Sequence, residues 1–182
     1  MKIRKSGTIL IATLLITMQS VPPAAAVTAH NEQVTVGFSP SGTALANILN
    51  VINSAKSQIY VVAYSFTSKE IATALLTAKK RGVNVQVVVD KKANSEKYTA
   101  VTFLANQGVA VRLNDKYTII HNKFIVIDGK TLQTGSFNYS SSANKRNAEN
   151  VVVLWNAPTI AAMYQQEFLR LWNEVDTLSP TY

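Results

Sequence analysis

The sequence predicts an α/β domain in which a mixed, mostly parallel β-sheet is flanked by helices on both faces. Apolar runs rich in Val and Ile alternate with segments whose apolar residues recur every three to four positions, as in strand–helix–strand units. After residue 117 this pattern gives way to short strand-like runs joined by turns, which indicates an antiparallel portion. The apolar fraction of 47% and the charged fraction of 15% are those of an ordinary globular domain.

The amino-terminal elements provide the parallel part of the predicted sheet. Residues 32–40 alternate as a strand, and residues 41–57 carry apolar side chains at helical spacing. Residues 58–66 form a continuous β-rich run, which is typical of a strand buried on both faces. Residues 68–82 begin with a Ser-x-Glu pattern and end in three basic residues and a glycine, as helices do. A second buried strand follows over residues 83–90.

The carboxyl-terminal elements complete the sheet. We expect a helix over residues 95–108 and a strand over residues 109–114. Residues 117–135 contain an Asp-Gly turn between two apolar runs, which predicts a hairpin. Residues 149–155 form the last predicted strand, and residues 157–175 form a closing amphipathic helix.

The first thirty residues have the three-part pattern of a secretory signal peptide. Three basic residues come first, an apolar run covers residues 8–18, and small residues follow two prolines. We therefore assign residues 1–26 to a cleaved signal peptide, with cleavage after Ala26 or, as second choice, Ala29. An uncleaved membrane anchor is the alternative, but the run is shorter than the ~20 apolar residues that a spanning helix needs.

Composition and charge restrict the chemistry of the mature domain. The chain has no cysteine, which excludes disulfides, thiolate nucleophiles and Cys-based metal sites. Without residues 1–26, 15 Lys and Arg stand against 10 Asp and Glu, a formal charge of +5. A positive charge favours polyanions such as nucleic acid or an anionic lipid surface, although charge alone equally fits a basic protein with no such partner.

Residues 121–138 place polar side chains where a core strand would normally carry hydrocarbon. On a strand, His121 and Lys123 point to the same face, and Ser136 and Asn138 share a face on the returning arm. If the arms pair, an imidazole nucleophile meets three donors that suit phosphate oxygens. This combination predicts nucleophilic attack on a phosphodiester, with charge stabilised by fixed donors. Asp128, at an odd spacing, falls off this face and is expected to be a structural turn residue.

Metal catalysis has little support in the sequence, and no cofactor is predicted. The second of the two histidines, His30, lies near the mature terminus, and no cluster of carboxylates accompanies His121. A zinc or two-metal site would need more ligands. Taken singly, His121 fits an ordinary histidine at the edge of the core and Lys123 a surface residue. Six residues at fixed spacings are a coincidence on the order of 10⁻⁸ per starting site.

The pattern His-x-Lys-x4-Asp-x6-Gly-Ser-x-Asn resembles the HKD signature of the phospholipase D superfamily. The matching positions are His121, Lys123, Asp128, Gly135, Ser136 and Asn138. Residues 61–90 resemble the first strand–helix–strand unit of that family, and residues 147–154 resemble the segment with its supporting acid. A single signature in a short chain is most similar to the small bacterial periplasmic endonucleases of the superfamily. The resemblance implies a phospholipase D-like α-β-α sandwich over residues 27–182 and a periplasmic location.

The resemblance also implies a role for each matching side chain. His121 would be the nucleophile and form a phosphohistidine that water then hydrolyses. Lys123 and Asn138 would bind the non-bridging phosphate oxygens, with Ser136 beside them. Glu149 would accept a hydrogen bond from the His121 imidazole and fix its tautomer, although a carboxylate that starts a strand is often only a solvated terminus.

Other residues near the motif are assigned less specific roles. Lys145 and Arg146 follow it in a polar loop, where contact with flanking phosphates and simple solvation are equally compatible with the sequence. Tyr60, Tyr64 and Phe66 lie in or beside a predicted buried strand, so we expect them in the core and not in a base-stacking platform. Gly135 is expected to be structural, like Asp128.

The expected function is a secreted, metal-independent phosphodiesterase that cleaves DNA or RNA without sequence preference. The alternatives are the same chemistry on phospholipid head groups and a non-catalytic nucleic-acid-binding module. The small size and the lack of a membrane helix in the mature part argue against a phospholipid substrate. The lack of such a helix also predicts no stable membrane insertion after signal cleavage. The intact nucleophile argues against a pure binding module.

A homodimer with a shared active site is also predicted. Phosphoryl transfer through His121 needs a second group to protonate the departing sugar alkoxide, and histidine suits that role at neutral pH. Two-signature relatives would use a second motif histidine, but this chain has a single signature. A two-fold axis that places His121 of one subunit opposite His121 of the other would supply the missing group.

Overall fold

The computed structural model describes residues 33–96 and 99–180. Within them lie seven strands: β1 Gln33–Ser39, β2 Gln58–Ala63, β3 Asn84–Asp90, β4 Ala110–Asn114, β5 Phe124–Ile127, β6 Thr131–Gly135 and β7 Glu149–Trp155. The α-helices of the same residues are α1 Thr43–Ser54, α2 Lys69–Lys80, α3 Ala100–Asn106, α4 Ser141–Lys145 and α5 Pro158–Trp172. A short 3₁₀ helix, Lys92–Asn94, follows β3.

The strands form one mixed sheet in the order β1-β7-β6-β5-β2-β3-β4. β2, β3 and β4 pair in parallel, whereas β5, β6 and β7 pair antiparallel with one another and β5 pairs antiparallel with β2. The predicted mixed sheet flanked by helices is confirmed.

Most strands of this mixed sheet share one direction, as expected, but most neighbouring pairs are antiparallel. β1 pairs antiparallel with β7 and not with β2, although a single helix joins β1 to β2. Four of the six pairings among the described strands are therefore antiparallel. The physical reason is that the antiparallel strands β5, β6 and β7 lie between β1 and β2. Five of the seven strands, all except β5 and β7, still run in the same direction.

Helices cover both faces of the sheet, and β2 shows how one strand serves two cores. Its residues Ile59, Val61 and Ala63 pack with α1, α2 and α3 in the larger core, whereas Tyr60 and Val62 pack with α5 in the smaller one. Both faces of the strand are thus apolar, which explains its continuous apolar run. Full burial of each such aliphatic side chain stabilises the fold by about 1.5–3 kcal/mol.

Local signals fix the helix ends. The hydroxyl of Ser68 accepts a hydrogen bond from the amide of Ile71 and so caps α2, a contact worth about 0.5–2 kcal/mol. The helix expected over residues 95–108 is shorter, because the hydroxyl of Thr99 caps α3 immediately before Ala100. The 3₁₀ helix ends at Asn94, one residue before the predicted start of this helix.

The predicted hairpin is present, with its turn at Asp128 and Gly129. Both residues have positive φ, 51° and 64°, as the two central residues of a type I′ turn do, and Lys130 completes the three-residue connection from Ile127 to Thr131. The carboxylate of Asp128 accepts hydrogen bonds from the backbone amides of Lys56, Ser57 and Gln58. Partial burial alone would raise the pKa of Asp128, but these backbone donors outweigh it and hold the pKa below its usual value.

Three of the sequence predictions fall outside the described residues. They are the signal peptide over residues 1–26, the second cleavage choice at Ala29, and the position of His30. Among residues 33–96 and 99–180, no helix is long and apolar enough to cross a membrane.

Candidate active site

The residues that the sequence singled out lie at one edge of the sheet, where the ends of the strands meet the loops. Within the described chain, β1, β2, β3, β4 and β6 end at this edge, and the oppositely directed β5 and β7 begin there. Loops that follow the carboxyl ends of strands are the usual place for ligands in α/β sheets. The catalytic edge, as we call it, therefore receives residues from both the parallel and the antiparallel part of the sheet.

His121 and Lys123 lie in the extended segment that leads into β5. The sequence placed them on a strand, but pairing with β6 starts one residue later, at Phe124 opposite Thr134. His121 is exposed, whereas Lys123 is only 6% exposed. The Lys123 ammonium donates a hydrogen bond to the main-chain oxygen of His121 at 2.6 Å. The Lys123 side chain is thus tied to the backbone of His121 in a segment without ladder pairing.

Tyr64 completes this group. Its ring centroid lies 4.9 Å from that of His121, and the Lys123 ammonium lies 5.6 Å from the Tyr64 centroid. Tyr60 and Phe66 are buried as expected. The expectation that Tyr64 belongs to the core is wrong, because β2 ends at Ala63 and Tyr64 is the first residue beyond it. No signal in the sequence indicated this, because the predicted strand of residues 58–66 ran past Tyr64.

The charge of Lys123 is partly shielded from water. Burial, the larger effect, lowers the pKa of Lys123, and the negative charge of Glu149 raises it, so that the pKa lies below that of an ordinary lysine. A cation in a less polar environment interacts more strongly with an anion than it would in water. Lys123 is therefore suited to bind a phosphate oxygen.

Ser136 and Glu149 join the end of β6 to the start of β7. The Ser136 hydroxyl donates to Glu149 Oε2 at 2.6 Å and accepts from the amide of Asn150 at 3.0 Å. The side chain of Asn147 donates to the other Glu149 oxygen at 2.9 Å. No hydrogen bond joins Glu149 to the imidazole of His121 within the described chain. The predicted support of His121 by Glu149 thus stays a prediction.

Gly135 allows the two strands to come close at this point. A Cβ atom on Gly135 would lie 2.2 Å from the main-chain oxygen of Asn150, far inside van der Waals contact. Its φ of 152° is also one that side-chain-bearing residues rarely adopt. The glycine of the motif therefore has a steric explanation.

Asn138 lies just beyond β6 on the catalytic edge and is half-buried. Its Oδ1 atom is buried and has no hydrogen-bond partner among the described residues. Most buried polar atoms in folded proteins are paired, and a catalytic role is one of several explanations for an exception. Oδ1 can only accept a hydrogen bond, so a contact between Asn138 and a phosphate oxygen would have to come from Nδ2, and that contact stays a prediction.

A cavity of about 460 Å³ opens beside these residues. His121, Lys123 and Gly135 line one side, and α5 contributes the opposite wall through Met163, Tyr164 and Glu167. Its size is within the range of small-molecule binding pockets. No group of three or more potential metal-ligating side chains comes together in the described part of the chain.

The basic residues after the motif lie at the carboxyl end of the short helix α4, which ends at Lys145 and is followed by Arg146. Its cap, Ser140, is two residues from Asn138, so that α4 starts at the catalytic edge. Lys145 and Arg146 are both exposed. Their contact with nucleic acid stays a prediction.

Comparison with known proteins agrees with the motif. The family described as "Cardiolipin synthase, PLD-like domain" matches residues 48–172. The chain is 36% identical to a phospholipase D of Rickettsia conorii over 137 aligned residues. The alignment covers 75% of this chain and 68% of that protein. It is 33% identical over 137 residues to the mitochondrial cardiolipin hydrolase of Xenopus tropicalis, with coverage of 75% and 65%.

Solved structures show the same fold. Nuc from Salmonella typhimurium, a phospholipase D family member, is 39% identical, with a TM-score of 0.79 over 81% of this chain and 99% of that one. NucT from Helicobacter pylori superposes with a TM-score of 0.71 over 81% of this chain and 99% of its own, but its 22% identity supports the fold alone. With the family match, the identities to curated relatives and the shared fold all in agreement, the chain belongs to the phospholipase D superfamily.

Proposed function

We propose that this protein is a metal-independent phosphodiesterase that cleaves DNA or RNA without sequence preference. The observation that carries the proposal is the exposed imidazole of His121, held beside the buried ammonium of Lys123 at the mouth of the cavity. A nucleophile and a fixed cation within one short segment are the two groups that attack on a phosphodiester requires.

The reaction has two steps. An imidazole nitrogen of His121 attacks phosphorus, the N–P bond forms, the P–O bond to one sugar breaks, and the departing alkoxide takes a proton from an acid. Water then attacks the phosphohistidine and gives a proton to the conjugate base of that acid, and the N–P bond breaks to release the phosphate monoester and restore the His121 imidazole. Lys123 and Asn138 bind the non-bridging oxygens throughout both steps.

Nucleic acid is the favoured substrate because exposed cations border the catalytic edge. Lys145, the last residue of α4, and Arg146, which follows it, are solvent-exposed, so they can meet phosphates that flank the scissile bond. The expected mature charge of +5 would favour any polyanion. The protein would act in the bacterial periplasm as residues 27–182, after removal of residues 1–26.

Phospholipid head groups are the second candidate substrate. The names of two relatives, phospholipase D and mitochondrial cardiolipin hydrolase, support this candidate. Both substrates contain a phosphodiester, so the same His121 chemistry would act on either. The difference would then lie in the groups around the cavity.

We further propose a homodimer that shares one active site. In the described chain the His121 imidazole contacts the ring of Tyr64 and is bonded to no acid. The exposed edge strand β1 offers a surface for a second copy, because Val34, Val36 and Phe38 are 56%, 50% and 57% exposed on one face. Phe38 lies opposite Asn150, so this apolar stripe reaches the catalytic edge.

The deciding experiment offers the purified mature protein plasmid DNA, single-stranded RNA and phosphatidylcholine vesicles, each with excess EDTA. We expect nicking of DNA or degradation of RNA at full rate in chelator, because Lys123 and Asn138 stabilise the charge without a metal ion. Release of choline without cleavage of nucleic acid would establish the lipid candidate. Loss of activity in EDTA with recovery on Mg²⁺ or Zn²⁺ would overturn the mechanism.

A further inference from the structure

Asp90, the last residue of β3, is a buried carboxylate that the reaction above does not use. It is 2% exposed, and it and Lys123 are the two charged side chains buried within the described chain. No ion pair joins Asp90 to a cation there. A buried carboxylate without a cation is costly unless hydrogen bonds satisfy its oxygens. Its hydrogen-bond donors therefore indicate what it does.

Both donors to Asp90 are backbone amides. Oδ1 accepts from Ala93 at 2.8 Å, and Oδ2 accepts from Ile120 at 2.8 Å. Ile120 immediately precedes His121, in a stretch between β4 and β5 that is neither strand nor helix. The carboxylate thus fixes the backbone of the segment that carries the imidazole, in a place where no sheet ladder does so.

Asn94 is bonded to the same network and reaches the other side of His121. It is 3% exposed, and its Nδ2 donates to the main-chain oxygens of Asp90 at 2.7 Å and Tyr64 at 2.6 Å. Its Oδ1 accepts from the amide of Phe66 at 2.9 Å. Asn94 therefore holds the loop after β2 and, with it, the Tyr64 ring that contacts the imidazole.

We propose that Asp90 and Asn94 are positioning residues for His121. Asp90 fixes the backbone on which the imidazole is carried, and Asn94 fixes the aromatic ring against which the imidazole lies. The proposal rests on the proposed function to the extent that His121 is the nucleophile. A displacement of about 1 Å in a reacting group can reduce the rate by about 100-fold, so a residue that never touches substrate can control turnover.

The test uses Asp90→Asn, with Asp128→Asn as the matched control. The substitution keeps the size of the side chain but turns one acceptor into a donor, so that one backbone amide loses its partner. Asp128 also accepts hydrogen bonds from backbone amides, but it follows the carboxyl end of β5, whereas His121 precedes the amino end. Both variants should lose stability, and Asp90→Asn alone should misplace the imidazole.

The readouts separate positioning from stability. The assay uses bis(p-nitrophenyl) phosphate as substrate at a temperature well below the melting point of every variant. We expect the kcat of Asp90→Asn to fall about 10- to 100-fold, with KM nearly unchanged. Asp128→Asn should keep kcat under the same conditions. Asn94→Ser, which cannot span from Asp90 to Tyr64, should reproduce the kcat loss and provides the test if Asp90→Asn does not fold.

A spectroscopic readout keeps this proposal separate from the proposed function. The imidazole resonances of His121, assigned by their disappearance in His121→Gln, should shift or broaden in Asp90→Asn and stay unchanged in Asp128→Asn. That result would support positioning even if the wild type cleaved no phosphodiester, an outcome that would overturn the proposed function alone. Unchanged His121 resonances, or a kcat loss equal to that of Asp128→Asn, would overturn positioning while leaving the function intact.

Discussion

The ammonium nitrogen of Lys123 lies 2.6 Å from the main-chain oxygen of His121. This hydrogen bond links the residue that carries the proposed nucleophile to the proposed phosphate-binding cation. Tyr64 lies against both side chains. Because Lys123 is almost fully buried, its position is set by packing and not by the substrate. The charge is therefore in place before substrate binds, and this preorganisation is what makes electrostatic catalysis effective.

This relationship predicts that His121→Ala and Lys123→Ala both abolish cleavage of plasmid DNA. Loss of a nucleophile typically reduces kcat by about 10⁴- to 10⁶-fold, and we expect Lys123→Ala to be nearly as severe. His30→Ala should leave turnover unchanged and is the control for general effects of histidine removal. Initial rates at saturating substrate provide the measurement. Tolerance of His121→Ala, combined with damage from His30→Ala, would show that the site is elsewhere.

Gly135→Ala should destabilise the protein more than an equivalent change elsewhere. The new Cβ would meet the main-chain oxygen of Asn150 at 2.2 Å, which adds a clash to the conformational strain. We expect a loss of about 1–3 kcal/mol from the clash alone, measured by urea unfolding. Gly82→Ala is the control, because its φ is also positive, at 89°, but a Cβ there would meet nothing within 4 Å. Equal losses in the two variants would refute the steric explanation.

The fold was largely predictable from hydrophobic pattern, with one instructive failure. The runs that became β2 and β3 were recognisable because both of their faces are buried, as Val61 and Val62 show. Hydrophobic periodicity predicts the face of the sheet on which a side chain lies, but it does not predict which strand pairs with its own. The pairing of β1 with β7 depends on contacts between residues more than one hundred positions apart, such as Val36 with Val152, and no local pattern contains that information.

The site was predictable where spacing carried the information. The interval of two residues placed His121 and Lys123 together, and the structure has them joined through a backbone oxygen. Tyr64 was missed because the predicted strand ran past the true end of β2 at Ala63, and a shift of one or two residues there decides between core and site. The hydrogen bond from the Ile120 amide to Asp90 joins the segment before β5 to the end of β3, thirty residues away in the chain, which sequence spacing cannot reveal.

The acid stability of the protein should depend on Asp128. Its pKa is lower in the folded chain than its ordinary value, so it contributes stability that is present above the unfolded pKa of about 3.9 and is lost as the pH falls through the folded value. Melting temperatures at pH 6 and pH 3 should therefore differ less in Asp128→Asn than in the wild type. An identical pH dependence in both proteins would show that the backbone donors do not stabilise this carboxylate.

A shared active site makes a quantitative prediction for mixed dimers. If the leaving alkoxide takes its proton from the partner's copy of His121, a dimer with one wild-type subunit and one His121→Ala subunit has no complete site. Random pairing of equal amounts then leaves activity only in wild-type homodimers, about a quarter of all dimers. If each subunit worked alone, about half of the activity would survive.

The experiment unfolds equal amounts of wild type and His121→Ala together, refolds the mixture and compares its rate with that of wild type treated in the same way. A mixture of wild type with Asp128→Asn, which alters no proposed catalytic group, controls for losses in refolding. Sedimentation velocity must show a dimer, since a chain that is active as a monomer cannot share its site with a partner. About a quarter of the activity supports the shared site because neither subunit of a mixed pair can then supply both the nucleophile and the acid. Half of the activity shows instead that one chain contains both groups, and the acid must then be sought within a single subunit.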